Sequence, residues 1–270
     1  MPYEWIVDAL DVTWNTIDGV VRPQSPFAYD AATPCPGWSV RDVLSHLLGF
    51  EQMLNGATPP QFDGEYPDYV QNDIGRLNEA FVQANRDRPG IDVLDSFRRA
   101  TQASLARLRA LSQDDWDRVG WSPEGERPYH YFQETRVLDS WIHLQDIRDA
   151  LLEPADDHGP AEEIVVNRFE AALPYVVGKR MAAPDGFSMQ VNLSGRSGRT
   201  IMLVMNQGRC GAVGALASPP ALDVSTPVAL FWRRAAGRIS AEAFLEASAT
   251  DVRGDHDAAR AFAQALRVMI

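Results

Sequence analysis

"RVLDSWIHLQDIRDAL", residues 136–151, has the apolar recurrence of a buried helix and yet carries Asp139, His143 and Asp146. On a helix of 3.6 residues per turn, position i+4 lies about 40° round from i and i+3 about 60° the other way, so the three side chains share one stripe. Leu138 and Trp141 fall away from it. Such a stripe has two readings. One is a solvated face, with Asp139 paired to Arg136 or Arg98 and Asp146 to Arg148 or Arg136. The other is a metal site, because a carboxylate and an imidazole one turn apart can hold a divalent ion. That pair is too small to make a site alone, so a third ligand has to come from another helix.

Of the five histidines, His46 is best placed to supply it. It lies in "VRDVLSHLLGFEQML", residues 40–54, one turn beyond Asp42 and on the margin of the apolar face Val43, Leu47, Phe50. His130 stands near a helix start beside two tyrosines. His158 and His256 occupy polar, loop-like contexts that suit solvation better than ligation.

Outward from these two segments, the first 150 residues read as four or five helices. Ile6, Leu10, Trp14, Ile17 and Val21 mark an amphipathic helix over 3–21, which "RPQSP" ends. Ser39 starts the helix of His46, and Gly56 is a plausible stop. Residues 57–68 read as a loop, 69–86 and 92–111 as helices, "VGWSPEGERP" as irregular, and 129–152 as a long helix. An antiparallel bundle over 1–155 is the economical architecture. After "EPADDHGP" the pattern changes. A helix at 161–181 precedes the short β-type runs "FSMQVNL", "GRTIMLVMN" and "GAVGALA", and helices at 225–236 and 256–269 close the chain. A second, α+β domain over 156–270 follows from that.

The 270 residues are 45% hydrophobic and 23% charged, the mix of a folded globular chain that needs no disulfide staples. The net charge of −12 argues against nucleic acid, whose phosphates need clustered cations. Lys179 is the only lysine, so the basic charge is arginine, suited to gripping carboxylates. Two distant cysteines, no signal-like start and no long apolar run lead to the expectation of a cytoplasmic protein off the membrane, a monomer or homodimer.

"TPCPGWSVRDVLSHL", residues 33–47, resembles the signature that opens the second helix in the mycothiol-dependent maleylpyruvate isomerase family, which shares a DinB-like four-helix bundle. "LDSWIHLQDIRDAL", residues 138–151, resembles that family's second signature, whose acid and histidine complete a metal site. "SGRSGRTIMLVMNQGRCGAVG", "FWRRAAGRIS" and "VRGDHDAARAFAQAL" are similar, in order, to its α+β domain of sterol-carrier type. The resemblance implies His46, Asp139 and His143 as ligands of a divalent ion, zinc above nickel or manganese, and mycothiol as cosubstrate.

Where the family typically has Glu, this chain has Asp139, one methylene shorter, so its carboxylate must approach more closely or bind in another mode. Asp146 falls where an acid follows the ligand histidine by three, suited to orienting an imidazole or a bound water. Arg238 falls where the family has a cleft arginine, suited to a carboxylate-bearing substrate, although a surface arginine reads equally well. Cys35 reads as a small thiol in a tight turn, and Trp38 as packing that turn onto the bundle or lining the cleft. The resemblance thus implies thiol transfer to, or cis–trans isomerisation of, a small electrophile. The alternatives are a binding protein for a metal or small ligand, and an interaction module that has lost the site.

Overall fold

The computed structural model describes residues 3–155 and 159–269 and divides into two compact units, residues 1–161 and 162–270. Residue 156, taken from sequence as the start of the second domain, and His158 lie outside the described residues.

The first unit is helical. α1 (Glu4–Val21), α2 (Val40–Leu54), α4 (Gly90–Arg109) and α6 (Tyr129–Leu151) pack in a ring, α1 on α4 and α6, and α2 on α4 and α6. α3 (Asp73–Gln83) lies against α2, and the short α5 (Gln113–Asp117) against α6. α1 buries Ile6, Leu10, Trp14, Ile17 and Val21, the apolar stripe its sequence predicts. α6 buries residues nearly all round its middle turns, from Val137 to Ile147, so it runs through the bundle rather than along its surface. That is why its polar residues cannot form a solvated face.

The helix starts are chemically marked. Ser39 and Asp42 form a reciprocal capping box on α2, each side chain accepting the other's backbone N–H. Asn72 caps α3, and Ser112 with Asp115 repeats the box on α5. Residues 119–128, read as irregular, form a hairpin of β1 (Val119–Ser122) and β2 (Gly125–Pro128). Its strands are four residues long and mostly exposed, so they carry no burial alternation for a sequence reading to find.

The second unit is α+β. Its sheet has the order β5-β4-β3-β6-β7, with β3 (Ser188–Ser194), β4 (Thr200–Asn206), β5 (Arg209–Val213), β6 (Leu222–Pro227) and β7 (Asp251–Gly254). β3 pairs parallel with β6, and the other pairs are antiparallel. Met189, Val191 and Leu193, with Ile201, Leu203, Met205, Leu222 and Val224, form its packed face, the period-two burial of one-sided strands.

α7 (Pro160–Tyr175) ends in a π-helical turn over Val176–Arg180, and its Phe169 meets Phe231 of α8 (Val228–Ala235) edge to face. The helix expected over 225–236 begins only at Val228, because residues 222–227 belong to β6. α9 (Ala241–Glu246) and β7 were not expected, and "GAVGALA" stays a strand only as far as Val213. α10 (His256–Ala265) is the last element, capped by Asp255. Among the described residues no helix is long and apolar enough to cross a membrane.

Candidate metal centre

The centre begins in the chain before α2. In the turn Cys35–Trp38 the Trp38 amide donates to the Cys35 carbonyl at 3.1 Å. Pro36 precedes Gly37, whose φ of +76° suits the third position of a type II turn. Thr33 Oγ1 donates to the Trp38 carbonyl, and the capping box then launches α2 from Val40. These restraints fix the phase of α2 and turn His46 toward α6.

There it meets Asp139 and His143. His46 Nε2 lies 3.2 Å from Asp139 Oδ2 and 3.4 Å from Oδ1. His143 Nε2 lies 3.6 Å from Asp139 Oδ1. The imidazoles cross at 67° with centroids 4.9 Å apart, and one donor atom from each of the three residues falls within 4.8 Å of the others. Zinc–ligand bonds of about 2.0–2.1 Å in a tetrahedral shell put neighbouring donors about 3.3 Å apart. The two measured edges to the carboxylate bracket that spacing, so this donor set suits a borderline divalent ion with little rearrangement. Asp139 comes within 3.2 Å of His46 where α6 packs against α2.

The outer contacts of the two histidines differ. His143 Nδ1 is 3.0 Å from Asp146 Oδ2, with both side chains buried. An N–H donated there leaves the lone pair on Nε2, the atom facing Asp139. His46 Nδ1 is buried with no hydrogen-bond partner. Ligation through Nε2 puts a proton on that atom, and a buried donor left unpaired costs about 1–3 kcal/mol.

At Asp139 and His46, electrostatics favours the protonation states that metal ligation needs. Burial alone would push Asp139 up, but the two imidazoles and Arg136 outweigh it and hold the carboxyl well below its usual range. Burial pushes the His46 imidazole down, against the pull of Asp139. Arg136, brought down to about 10 by burial, does not cap Asp139. It forms a buried ion pair with Glu51, whose other oxygen accepts from Ser104, and its guanidinium lies 5.8 Å from the Trp14 ring centroid. Arg148 donates to the Pro154 carbonyl.

The other candidates stand elsewhere. His130 stacks on Tyr3 at 4.5 Å and faces Glu134, outside the cluster. His256 is the exposed first residue of α10. Cys35 is half-buried in its turn, and Cys210 is half-buried on β5, where burial pushes its thiol up. Arg238 lies in the second unit after α8, with Nη1 donating to the Ala236 carbonyl at 2.9 Å. Sequence reasoning passed over Glu51 and Glu79. An acid on an amphipathic helix reads as solvated, and nothing in a single sequence marks one that is buried.

The chain is similar to known proteins in sequence profile and in fold. The sequence profile described as "Mycothiol maleylpyruvate isomerase N-terminal domain" matches residues 10–148, more than half of the chain. No curated protein matches in sequence. The chain is similar in fold to the crystal structure of the mycothiol-dependent maleylpyruvate isomerase, with TM-score 0.58 and 14% identity over 93% of each chain. It is similarly related to an alanine mutant of that enzyme, with TM-score 0.56 and 15% identity over 88% of this chain and 90% of the other. The matched profile runs from α1 into the last turn of α6 and so takes in His46, Asp139, His143 and Asp146. On that match, the chain belongs to the mycothiol maleylpyruvate isomerase N-terminal domain family.

Proposed function

We propose that this protein is a metal-dependent enzyme that uses a low-molecular-weight thiol, mycothiol by its family, on a small electrophilic substrate. The observation that carries the reading is the convergence of His46, Asp139 and His143 from two helices, with Asp146 behind one imidazole. These three residues would hold a divalent ion, and zinc suits two imidazoles and a carboxylate. When bound, that ion supplies a thiolate at neutral pH from a thiol that is otherwise mostly protonated.

The chain's own residues do the rest. Asp139, held well below the usual carboxylate range, brings a negative charge that a neutral imidazole ligand does not supply. Asp146 holds the His143 ring in one tautomer and one orientation. The thiolate sulfur adds to an electrophilic carbon. The broken π bond leaves its electron pair on the neighbouring carbon; rotation and expulsion of the thiolate by that pair give isomerisation, whereas its protonation keeps the adduct and gives transfer. On the family resemblance alone, Arg238 is proposed to grip a substrate carboxylate, work for which a planar guanidinium is suited.

The test is thiol consumption or isomer conversion by the metal-loaded protein across a panel of electrophiles, with mycothiol and other small thiols compared. Turnover with a thiol, and an Arg238→Ala variant with raised KM for carboxylate-bearing substrates and unchanged metal content, supports the reading. Metal held without turnover of any thiol contradicts it and favours the binding-protein alternative.

A further inference from the structure

The two proposed ligand histidines are held by unlike means. His143 has its outer nitrogen on Asp146, the arrangement that usually orients a ligating imidazole. His46 has nothing on Nδ1, so no outer hydrogen bond helps to fix the ring whose Nε2 faces Asp139. On its outer side, packing takes that place. Trp38 lies tilted against the His46 ring at 5.2 Å, and Phe50 meets the same ring edge to face at 5.3 Å. Trp38 also stacks over His143 at 6.0 Å, so one indole touches both imidazoles.

Both of these aromatic jaws are backed from α3, a helix that contributes no donor to the cluster. Glu79 is fully buried, and its Oε2 accepts from Trp38 Nε1 at 3.3 Å and from the Tyr69 hydroxyl at 3.0 Å. Its Oε1 accepts from Gln83 Nε2 at 2.7 Å, and the Arg86 guanidinium stands 3.5 Å away. Phe81 packs edge to face on Phe50 at 5.8 Å. That contact requires Gly49, because a Cβ there would lie 2.1 Å from Phe81 Cγ. Gly37 is open for a related reason, its missing Cβ giving way to the Tyr69 ring that reaches Glu79. A buried carboxylate is costly unless it is well paired, and this one counts the indole that touches both rings among its partners.

We propose that Glu79 is a positioning residue for the metal centre. Through Trp38, and with Phe81 backing Phe50, it clamps the His46 ring in the orientation that ligation requires, in place of the hydrogen bond His46 lacks. The inference rests on the metal reading above.

The test is cobalt(II) titration of the metal-depleted full chain, following affinity and the visible d–d band, beside the melting temperature of each metal-free variant. Glu79→Gln keeps the shape but offers a single acceptor oxygen. Trp38→Leu removes the indole, and Trp38→Phe keeps a ring while removing the N–H. Leu108→Ala, a core change on α4, controls for stability alone. Glu79→Gln and Trp38→Leu are expected to weaken cobalt binding about 10- to 100-fold, the range for outer contacts of metal ligands, and to shift the band. Trp38→Phe should lose less, and Leu108→Ala should keep wild-type affinity and spectrum despite a lower melting temperature. Wild-type affinity and band in Glu79→Gln and Trp38→Leu would overturn the clamp and leave the metal centre standing. Losses in Leu108→Ala that match theirs would also overturn it, because stability would then explain them. A wild-type chain that takes no cobalt would overturn the clamp and the metal reading together.

Discussion

Asp139, His46 and His143 bring a carboxylate and two imidazoles to one point, and the shifts of Asp139 and His46 each have a local cause. Burial would raise the Asp139 carboxyl, but its hydrogen bond and charge interactions with His46, and those with His143 and Arg136, hold it well below its usual range, and burial pushes the His46 imidazole down. Asp146 does for His143 what no single residue does for His46. Asp146→Asn keeps an acceptor but loses its charge, so metal affinity should fall about 10- to 100-fold with the fold retained, as a competition titration against a chelator would show. An unchanged affinity would make Asp146 a packing residue. The four-and-three spacing of 139, 143 and 146 was legible because a helix converts spacing directly into a shared face. The partner of that face was legible only through a motif, since nothing local to His46 tells which helix it meets. Glu79 was not legible, because its burial arises from α3 lying against α2 and from the Trp38 turn, both non-local.

At the scale of the element, α6 is the unusual helix. It is buried nearly all round, and it meets the cost of Arg136 with Glu51 from α2. Removing one member of such a pair leaves a charge without its counter-ion in the core. Glu51→Gln should therefore cost about 3–5 kcal/mol, and replacing both members by Leu and Met should recover much of it. Urea denaturation of the metal-free proteins measures both changes, and a Glu51→Gln loss below 1 kcal/mol would mean that water reaches the pair. Helices with long apolar stripes, such as α1 and α4, were readable to within a few residues because burial on one side imposes a period. The hairpin at 119–128 and the strand β6 were not. The first is exposed on both faces, and the second is six residues long and runs straight into α8 at Pro227.

At the scale of the whole molecule, the first unit carries every proposed metal donor and the second carries Arg238. Metal binding should then be a property of residues 1–161. A chain ending there is expected to hold as much metal as the full protein, and elemental analysis of the two side by side checks it. The order of a helical half and a sheet-containing half was legible from the change of period near residue 160, whereas the strand order was not, since the pairing of β3 with β6 joins segments far apart in sequence. The central claim is that the polar stripe on α6 meets His46 to make a coordination shell. The most direct test is the metal content of the purified full-length protein beside His46→Ala and His143→Ala. Stoichiometric divalent metal in the wild type, lost in both variants, is the result this account predicts. A wild-type protein that holds none, even after reloading with zinc, would contradict it.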